Sequence, residues 1–332
     1  MQKFLVIQTA FIGDVVLATG ILEKLHEYYP DACIDYMVRK GNEGLVSGHP
    51  FLHNVLVWNK KAGKYKNLLA LLKQIRAERY DKVINVQRYA TTGFVTVFSN
   101  AKETIGFDKN PWSFLFTHKI KHYMSANGHS LHEIERNHFL VAAFTDDQPA
   151  KPKLYPSPKD FGKMLPLKQK PYLCVAPSSV WFTKQYPKEK WISFLNNLPV
   201  KYDIYLLGAP GDAAICEEIK KISLHPFIIN MAGKLNYLES AALMKGAEMN
   251  YVNDSAPMHF ASAVNAPVAA VYCSTVPAFG YGPLSDNSFI IETEEQLSCR
   301  PCGLHGYKAC PKNHFKCALS IEDAQLLQVI GQ

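Results

Sequence analysis

From one end of the 332-residue chain to the other, short β-branched runs alternate with longer stretches whose apolar residues recur at helical spacing. This is the βαβ rhythm of parallel sheets covered by helices. In the first half the expected strands are residues 3–8, 34–38, 55–58, 82–86 and a short 104–106, with helices over 15–29, 64–79 and 131–144. In the second half strands at 172–176, 203–207, 227–230, 248–252 and 268–272 alternate with helices over 188–196, 212–222, 237–245, 256–264 and 320–330. Between the halves, residues 148–158 hold Pro149, Pro152, Pro156 and Pro158 with Lys151 and Lys153, and read as an extended linker. Two doubly wound sheets joined in this way would leave a cleft lined by the carboxyl ends of their strands, where open α/β sheets bind ligands.

Composition narrows the class without choosing a ligand. With 48% hydrophobic and 20% charged residues the chain is neither disordered nor collagen-like. Thirty-six Lys and Arg against 29 Asp and Glu leave a net charge of +7, which favours phosphorylated molecules or anionic membrane headgroups. The lysines are dispersed and no reader motif accompanies them, so nucleic acid is not expected as a partner. No apolar run approaches the roughly 18 residues that span a bilayer. The opening run, Phe4-Leu5-Val6-Ile7, is short for a signal peptide and meets Gly13-Asp14 where a cleavage site would fall, so a cytoplasmic protein is expected.

Three loops carry residues suited to chemistry. After the first strand, Gln8-Thr9-Ala10-Phe11-Ile12-Gly13-Asp14 has one glycine and then an acidic residue opening a helix. Asp14 reads either as a helix N-cap or as a carboxylate at the strand's edge that takes a proton from an attacking hydroxyl. In the second half, Asn253-Asp254-Ser255-Ala256-Pro257-Met258-His259 ends a strand and starts a helix. Its free N–H groups at Ser255–Met258 would suit a phosphate, although a plain capped helix with a packed His259 gives the same pattern. A third loop, residues 176–187, follows the first strand of that half and offers Ser178, Ser179 and Lys184 to a diphosphate.

Taken together, Phe11-Ile12-Gly13-Asp14, Lys184 ahead of Tyr186-Pro187 and Trp191, Leu238-Glu239 after Gly233, and Asn253–His259 resemble glycosyltransferase family 9, over nearly the whole chain and in order. The resemblance implies a GT-B fold of two Rossmann-like, doubly wound α/β domains facing across a cleft. Residues 1–150 would bind the acceptor, 151–171 would link, and 172–318 would bind the nucleotide sugar. Residues 319–332 would form a helix packing back on the first domain. It also implies an inverting, metal-independent transfer of a heptose from an ADP-sugar to a lipopolysaccharide inner-core acceptor built on lipid A, with no cofactor. Asp14 would be the general base; Lys184, Glu239, Asp254, Ser255, Ala256 and His259 would hold the donor, with Glu239 near the ribose; Gln87 and Arg88 would lie near the acceptor.

Two departures stand out: Ala256-Pro257 replaces the family's glycine and removes one N–H, and Arg88 stands where a glycine is usual. The alternatives are a family-9 enzyme with another nucleotide sugar and a non-catalytic nucleotide-sugar-binding protein. An inner-leaflet acceptor would bring transient contact with the inner membrane, for which Trp112, Phe114, Leu115 and Phe116 beside Lys109, Lys119 and Lys121 are candidates, as they are for ordinary packing. Cys33, Cys174, Cys216 and Cys273 fall in core-like segments. Cys299, Cys302, Cys310 and Cys317, with His305 and His314, allow structural zinc, but the six-residue spacing of the second pair favours reduced thiols or local disulfides.

Overall fold

The computed structural model describes residues 1–61, 63–126 and 128–330, and the chain divides into two compact units, Met1–Tyr155 and Pro156–Gln332. The first unit runs β1 (Lys3–Ile7), α1 (Ile12–Tyr28), β2 (Cys33–Arg39), β3 (Leu52–Trp58), α2 (Lys64–Glu78), β4 (Lys82–Asn85), α3 (Ala90–Val97), β5 (Glu103–Phe107), β6 (His118–Ile120), the short pair β7 (Ser125–Ala126) and β8 (His129–Ser130), and α4 (Glu133–His138). The second runs α5 (Pro158–Met164), β9 (Tyr172–Ala176), α6 (Lys188–Asn196), β10 (Asp203–Leu206), α7 (Ala213–Ile222), β11 (Ile228–Asn230), α8 (Tyr237–Lys245), β12 (Met249–Asn253), α9 (Ala256–Ala263), β13 (Val268–Tyr272), β14 (Ser288–Glu292), α10 (Lys316–Leu319) and α11 (Asp323–Leu327).

Each unit is built on a six-stranded sheet, and the two strand orders are the same. The first is β3-β2-β1-β4-β5-β6 and the second β11-β10-β9-β12-β13-β14. All neighbours within both are parallel. Chain order reverses direction between β1 and β4 in one sheet and between β9 and β12 in the other. Loops leaving the carboxyl ends at such a reversal part to opposite faces and leave a crevice. Covered on both faces, the central strands are apolar throughout: Phe4, Leu5, Val6 and Ile7 of β1 are all buried, as is every residue of β9.

The helices close the sheets with stripes read from their spacing. On α6, Trp191, Phe194 and Leu195 are buried; Trp191 meets Tyr186 edge-on at 5.0 Å and Phe194 meets Tyr251 at 4.6 Å. Each such side chain contributes roughly 1.5–3 kcal/mol on burial. On α1, Gly20 lets the chain at Ala150 pass so near that a Cβ would sit 2.6 Å from the Ala150 carbonyl oxygen.

Several expectations are corrected. The helix expected over 131–144 is α4 alone, because Leu140 and Val141 donate to Asn137 and His138 three residues back and tighten the chain into a 3-10 turn. The proline-rich stretch carries no helix or strand before Pro158, as expected; α5 begins there, inside the linker expected over 151–171, started by Ser157 and Asp160 in a reciprocal capping box. The last helix is shorter than 320–330; Ile321, Leu326 and Val329 join the core of the second unit, and the Tyr251 hydroxyl donates to the Leu326 carbonyl at 2.9 Å. Among the described residues no helix is long and apolar enough to cross a membrane.

Candidate active site

At the first reversal, the β1 and β4 loops are fastened to each other. The Thr9 hydroxyl donates to Gln87 Oε1 at 2.7 Å, and both residues are buried. Asn110 holds the second loop from the far side, its Nδ2 donating to the carbonyls of Gln87 (3.0 Å) and Tyr89 (3.1 Å). Gln87 Nε2 is buried and has no hydrogen-bond partner among the described residues. Arg88, next to it, is exposed.

Asp14 does not cap α1. The helix starts at Ile12 with Phe11 in the cap position, so Asp14 is the third helical residue, half-buried, where the positive end of the dipole suits a carboxylate. The Tyr36 hydroxyl, which donates to the Val15 carbonyl at 2.9 Å, is raised well above its ordinary pKa by burial and by the Asp14 charge. Sequence reasoning missed the titratable groups of this unit described next, of which Glu133, like Tyr36, feels the Asp14 charge. Glu133, at the start of α4, is pushed up to about 7 by burial and then by Asp14, against the opposing Arg136, whose Nη1 lies 3.2 Å from it. His122 is lowered to about 4 by burial and by the charges of Arg88 and Arg136. Lys60 donates to the Thr9 carbonyl at 2.7 Å and is lowered to about 8 by burial, with Arg39 and Lys64 adding to the effect. The edge therefore combines one acidic pair with several cations, a field that draws anionic ligands.

At the second reversal, Lys184 and Asp254 are brought together. Lys184 ends the 3-10 turn Phe182–Lys184 in the β9 loop, and its Nζ lies 2.6 Å from Asp254 Oδ2, with only 15% and 8% of the two side chains exposed. The same oxygen accepts from the Thr275 hydroxyl at 2.7 Å. Asp254 is thus the counter-ion and anchor of Lys184. Asn253, wholly buried, ties the same loop to the end of β12: its Oδ1 accepts from the Tyr186 N–H (2.9 Å) and its Nδ2 donates to the Pro177 carbonyl (2.9 Å). Ser274 Oγ donates to Thr183 Oγ1 at 2.9 Å. Asn253, Thr275, Ser274 and Thr183 gave no sequence signal as single residues. Only the strand order shows that the β9 and β12 loops adjoin.

The other expected donor residues are placed as follows. Ser255 occupies the N-cap of α9 but makes no side-chain cap; its hydroxyl donates to the Asn253 carbonyl at 3.3 Å. Ala256 opens α9, Pro257 follows in the first turn, and His259 is buried along the helix. Glu239 serves α8 as the partner of Asn236 in a capping box, with an N–H to carboxylate distance of 2.9 Å, and pairs with Lys163. Burial opposes ionisation of Glu239, yet the Lys163 ammonium and the Asn236 N–H hold its carboxyl below the usual range. The Tyr237 ring meets Phe260 at 5.9 Å, so the start of α8 abuts α9. A cavity of about 650 Å³ lined by Pro177, Phe182, Pro187, Trp191, Ile219 and Phe315 contains none of the expected donor residues.

Residues 68–307 match the model of glycosyltransferase family 9 (heptosyltransferase). The chain is 26% identical over 291 residues to lipopolysaccharide heptosyltransferase 3 of Escherichia coli, covering 83% of this chain and 85% of the relative. It is 25% identical to the lipopolysaccharide core heptosyltransferase OpsX of Haemophilus influenzae over 100% of this chain and 96% of that one. Among solved structures, a family 9 glycosyltransferase of Veillonella parvula superposes with a TM-score of 0.85 at 19% identity, covering 99% of this chain and 96% of that one. The E. coli ADP-heptose lps heptosyltransferase II does so with a TM-score of 0.80 at 20% identity, covering 99% and 97%. The two parallel six-stranded sheets are those of the GT-B fold. The chain is a member of glycosyltransferase family 9, and so a glycosyltransferase.

Proposed function

We propose that the enzyme transfers a heptose from an ADP-sugar to an inner-core saccharide of lipopolysaccharide, inverting the anomeric carbon and using no metal on the diphosphate. The names of its relatives support the substrate class. The observation that carries the mechanism is the Lys184 ammonium, held by buried Asp254 at the reversal of the second sheet. There it can neutralise charge growing on a departing diphosphate. The pairing of the Lys184 ammonium with Asp254, which also accepts from the Thr275 hydroxyl, holds that cation at the end of β9, where it supports stabilisation of the departing diphosphate by lysine.

In this reading the free N–H groups at Ser255 and Ala256, aided by the α9 dipole, hold phosphate oxygens beside Lys184, with Pro257 withholding one donor. Glu239, whose Oε2 caps α8 and whose Oε1 pairs with Lys163, takes the ribose by exchanging the Lys163 contact, and His259 supports α9 from within. Asp14 takes the proton of the acceptor hydroxyl as that oxygen attacks the sugar. The unpartnered Nε2 of Gln87 and the exposed Arg88 receive the acceptor, whose negative groups suit Lys60, Arg39 and Lys64. Phe114, 73% exposed, and Leu115, 48% exposed, give the first unit an apolar point for transient contact with the inner-membrane surface.

The test is ADP release and product formation over a panel of nucleotide sugars, with and without a lipid A-based acceptor. Asp14→Asn should lower transfer by roughly 10²–10⁴-fold while ADP binds as in the wild type. Equal loss of both would assign Asp14 a structural role, and turnover of a non-heptose donor alone would reject the heptose assignment.

A further inference from the structure

At the amino ends of the first unit's strands, on the edge opposite the reversal loops, lies a set of side chains that the proposed transfer does not use. Cys33 and Asp35 stand two residues apart on β2 and so share one face of the sheet. Both are buried, with 6% and 1% exposure. His53 reaches them from β3 through an irregularity in the pairing. The register runs from Ile34 opposite Leu52 to Asp35 opposite Asn54, which makes His53 an extra residue with no counterpart on β2. A bulge of this kind re-aims the side chain it carries. One ligand atom from each of Cys33, Asp35 and His53 lies within 4.8 Å of the other two.

The surroundings of the His53 ring give a second, independent observation. Its Nδ1 has Asp35 Oδ1 at 3.1 Å and Asn54 Nδ2 at 2.8 Å. A protonated Nδ1 satisfies the carboxylate but meets the amide donor with another N–H; a bare Nδ1 accepts from the amide but turns its lone pair on the carboxylate. Neither tautomer serves both partners. A cation between Nδ1 and Oδ1 takes a lone pair from each and leaves the exposed Asn54 amide to water. The 3.1 Å separation is already near the roughly 3.4 Å that a nitrogen and an oxygen keep on one tetrahedral zinc.

Asp35 is also held as a ligand would be. The Asn54 N–H donates to its Oδ1 at 2.9 Å and the Tyr80 hydroxyl donates to its Oδ2, which fixes the carboxylate while each oxygen keeps a free lone pair. Lys3 stands beside Cys33 on β1, but its ammonium is paired with Glu78 at 3.0 Å.

We propose that Cys33, Asp35 and His53 bind one divalent transition ion of the zinc class through the sulfur, one carboxylate oxygen and Nδ1. Thiolate and imidazole select such an ion over magnesium or calcium, which take oxygen ligands. The sulfur–metal bond forms as the thiol proton leaves to solvent, with no change of oxidation state. Thiolate and carboxylate together cancel the charge of the ion, as burial of the two anions requires. The His53 side chain is 56% exposed, so one side of the ion stays open to a water that completes four-coordination. Since β3 is the edge strand of its sheet, the ion would clamp that edge to β2 at the bulge. The site stands apart from the roles given to Asp14 and Lys184.

The test is equilibrium dialysis of the full chain against zinc, with metal analysis of the protein. Wild type should hold one more ion per chain than Cys33→Ala or His53→Gln, and Cys216→Ala, at a buried cysteine of the second unit, should match wild type. Because His53 is exposed, His53→Gln tests the site even if Cys33→Ala folds poorly. Tyr80→Phe, which removes only a donor to Asp35, should weaken that ion by roughly 10–100-fold. Cobalt in place of zinc should give a sulfur charge-transfer band that falls in Cys33→Ala. Equal zinc uptake by wild type and His53→Gln would overturn the proposal, as would His53 ring resonances that do not move when zinc is added. Loss of the ion in His53→Gln with retention in folded Cys33→Ala would overturn the ligand set, and magnesium binding as tightly as zinc would overturn the metal class.

Discussion

Exchanging Lys184 for Met and Asp254 for Asn, singly and together, measures whether the buried pair is the anchor described above. The two groups are 2.6 Å apart with 15% and 8% of their side chains exposed. Exposed pairs couple by about 0.2–1 kcal/mol, whereas removing one member of a fully buried pair costs about 3–5 kcal/mol. These exposures lie near the buried end, but the lysine can still swing its ammonium to water when unpaired. A coupling of about 2 kcal/mol is therefore expected from the double-mutant cycle in urea unfolding. ADP binding by calorimetry separates the roles. Lys184→Met should weaken it by roughly 10–150-fold, as loss of one charged hydrogen bond of about 1.5–3 kcal/mol requires. Asp254→Asn, which keeps the ammonium, should weaken it less. A coupling below about 0.3 kcal/mol, within the scatter of additive mutations, would refute the anchor. Unchanged ADP affinity in Lys184→Met would refute the diphosphate contact.

Two further predictions concern Gly93 and Glu133 of the first unit, with Gly162 of the second as a contrast. A Cβ on Gly93 would stand 2.0 Å from Asn110 Oδ1, so Gly93→Ala should lose roughly 1–3 kcal/mol in unfolding and loosen the Gln87 loop; Gly162→Ala, with nothing within 4 Å, should instead gain about 0.5–1 kcal/mol. Glu133 holds its proton to about pH 7, above the ordinary carboxyl value. The native state therefore binds more protons than the unfolded chain between about pH 4.5 and 7, and stability should decline as pH rises through that window, by a few kcal/mol at most. Glu133→Gln should flatten this slope in unfolding curves taken at pH 5 and pH 8, and an unchanged slope would refute the assignment.

The parallel strands and long helices were legible because burial on both faces writes continuous apolar runs and a 3.6-residue stripe. β9, β13, α6 and α8 were located residue for residue. What stayed hidden was short or non-local. β6, His118–Ile120, is a three-residue edge strand carrying His118 and Lys119, with no apolar run to show it. α3 follows the Gln87 loop with Thr91, Thr92 and Gly93 in its first turns, a composition that argues for a turn. In the site, Lys184 and the Asp254 segment were visible as loop residues after strands. Their direct pairing was not, since 69 residues lie between them in the chain and only sheet order brings them together. Glu133 was read as part of a helix, because its unusual proton affinity comes from burial in the fold and then from Asp14 on a different helix.

The Lys184 loop is fastened by Asn253, which accepts from the Tyr186 N–H, and by Ser274 and Tyr307, which donate to Thr183 Oγ1 at 2.9 and 2.7 Å, and this bears on how the enzyme can change over time. Its backbone is ordered when the second unit folds, so the roughly 1–2 kcal/mol per residue that a mobile loop would lose at docking is lost before any nucleotide arrives. Under the proposed donor role of Lys184, mutational drift at Tyr307, whose N–H holds the Thr183 hydroxyl, would accordingly be selected through nucleotide capture, so that the loop and the segment around Tyr307 should evolve as one unit.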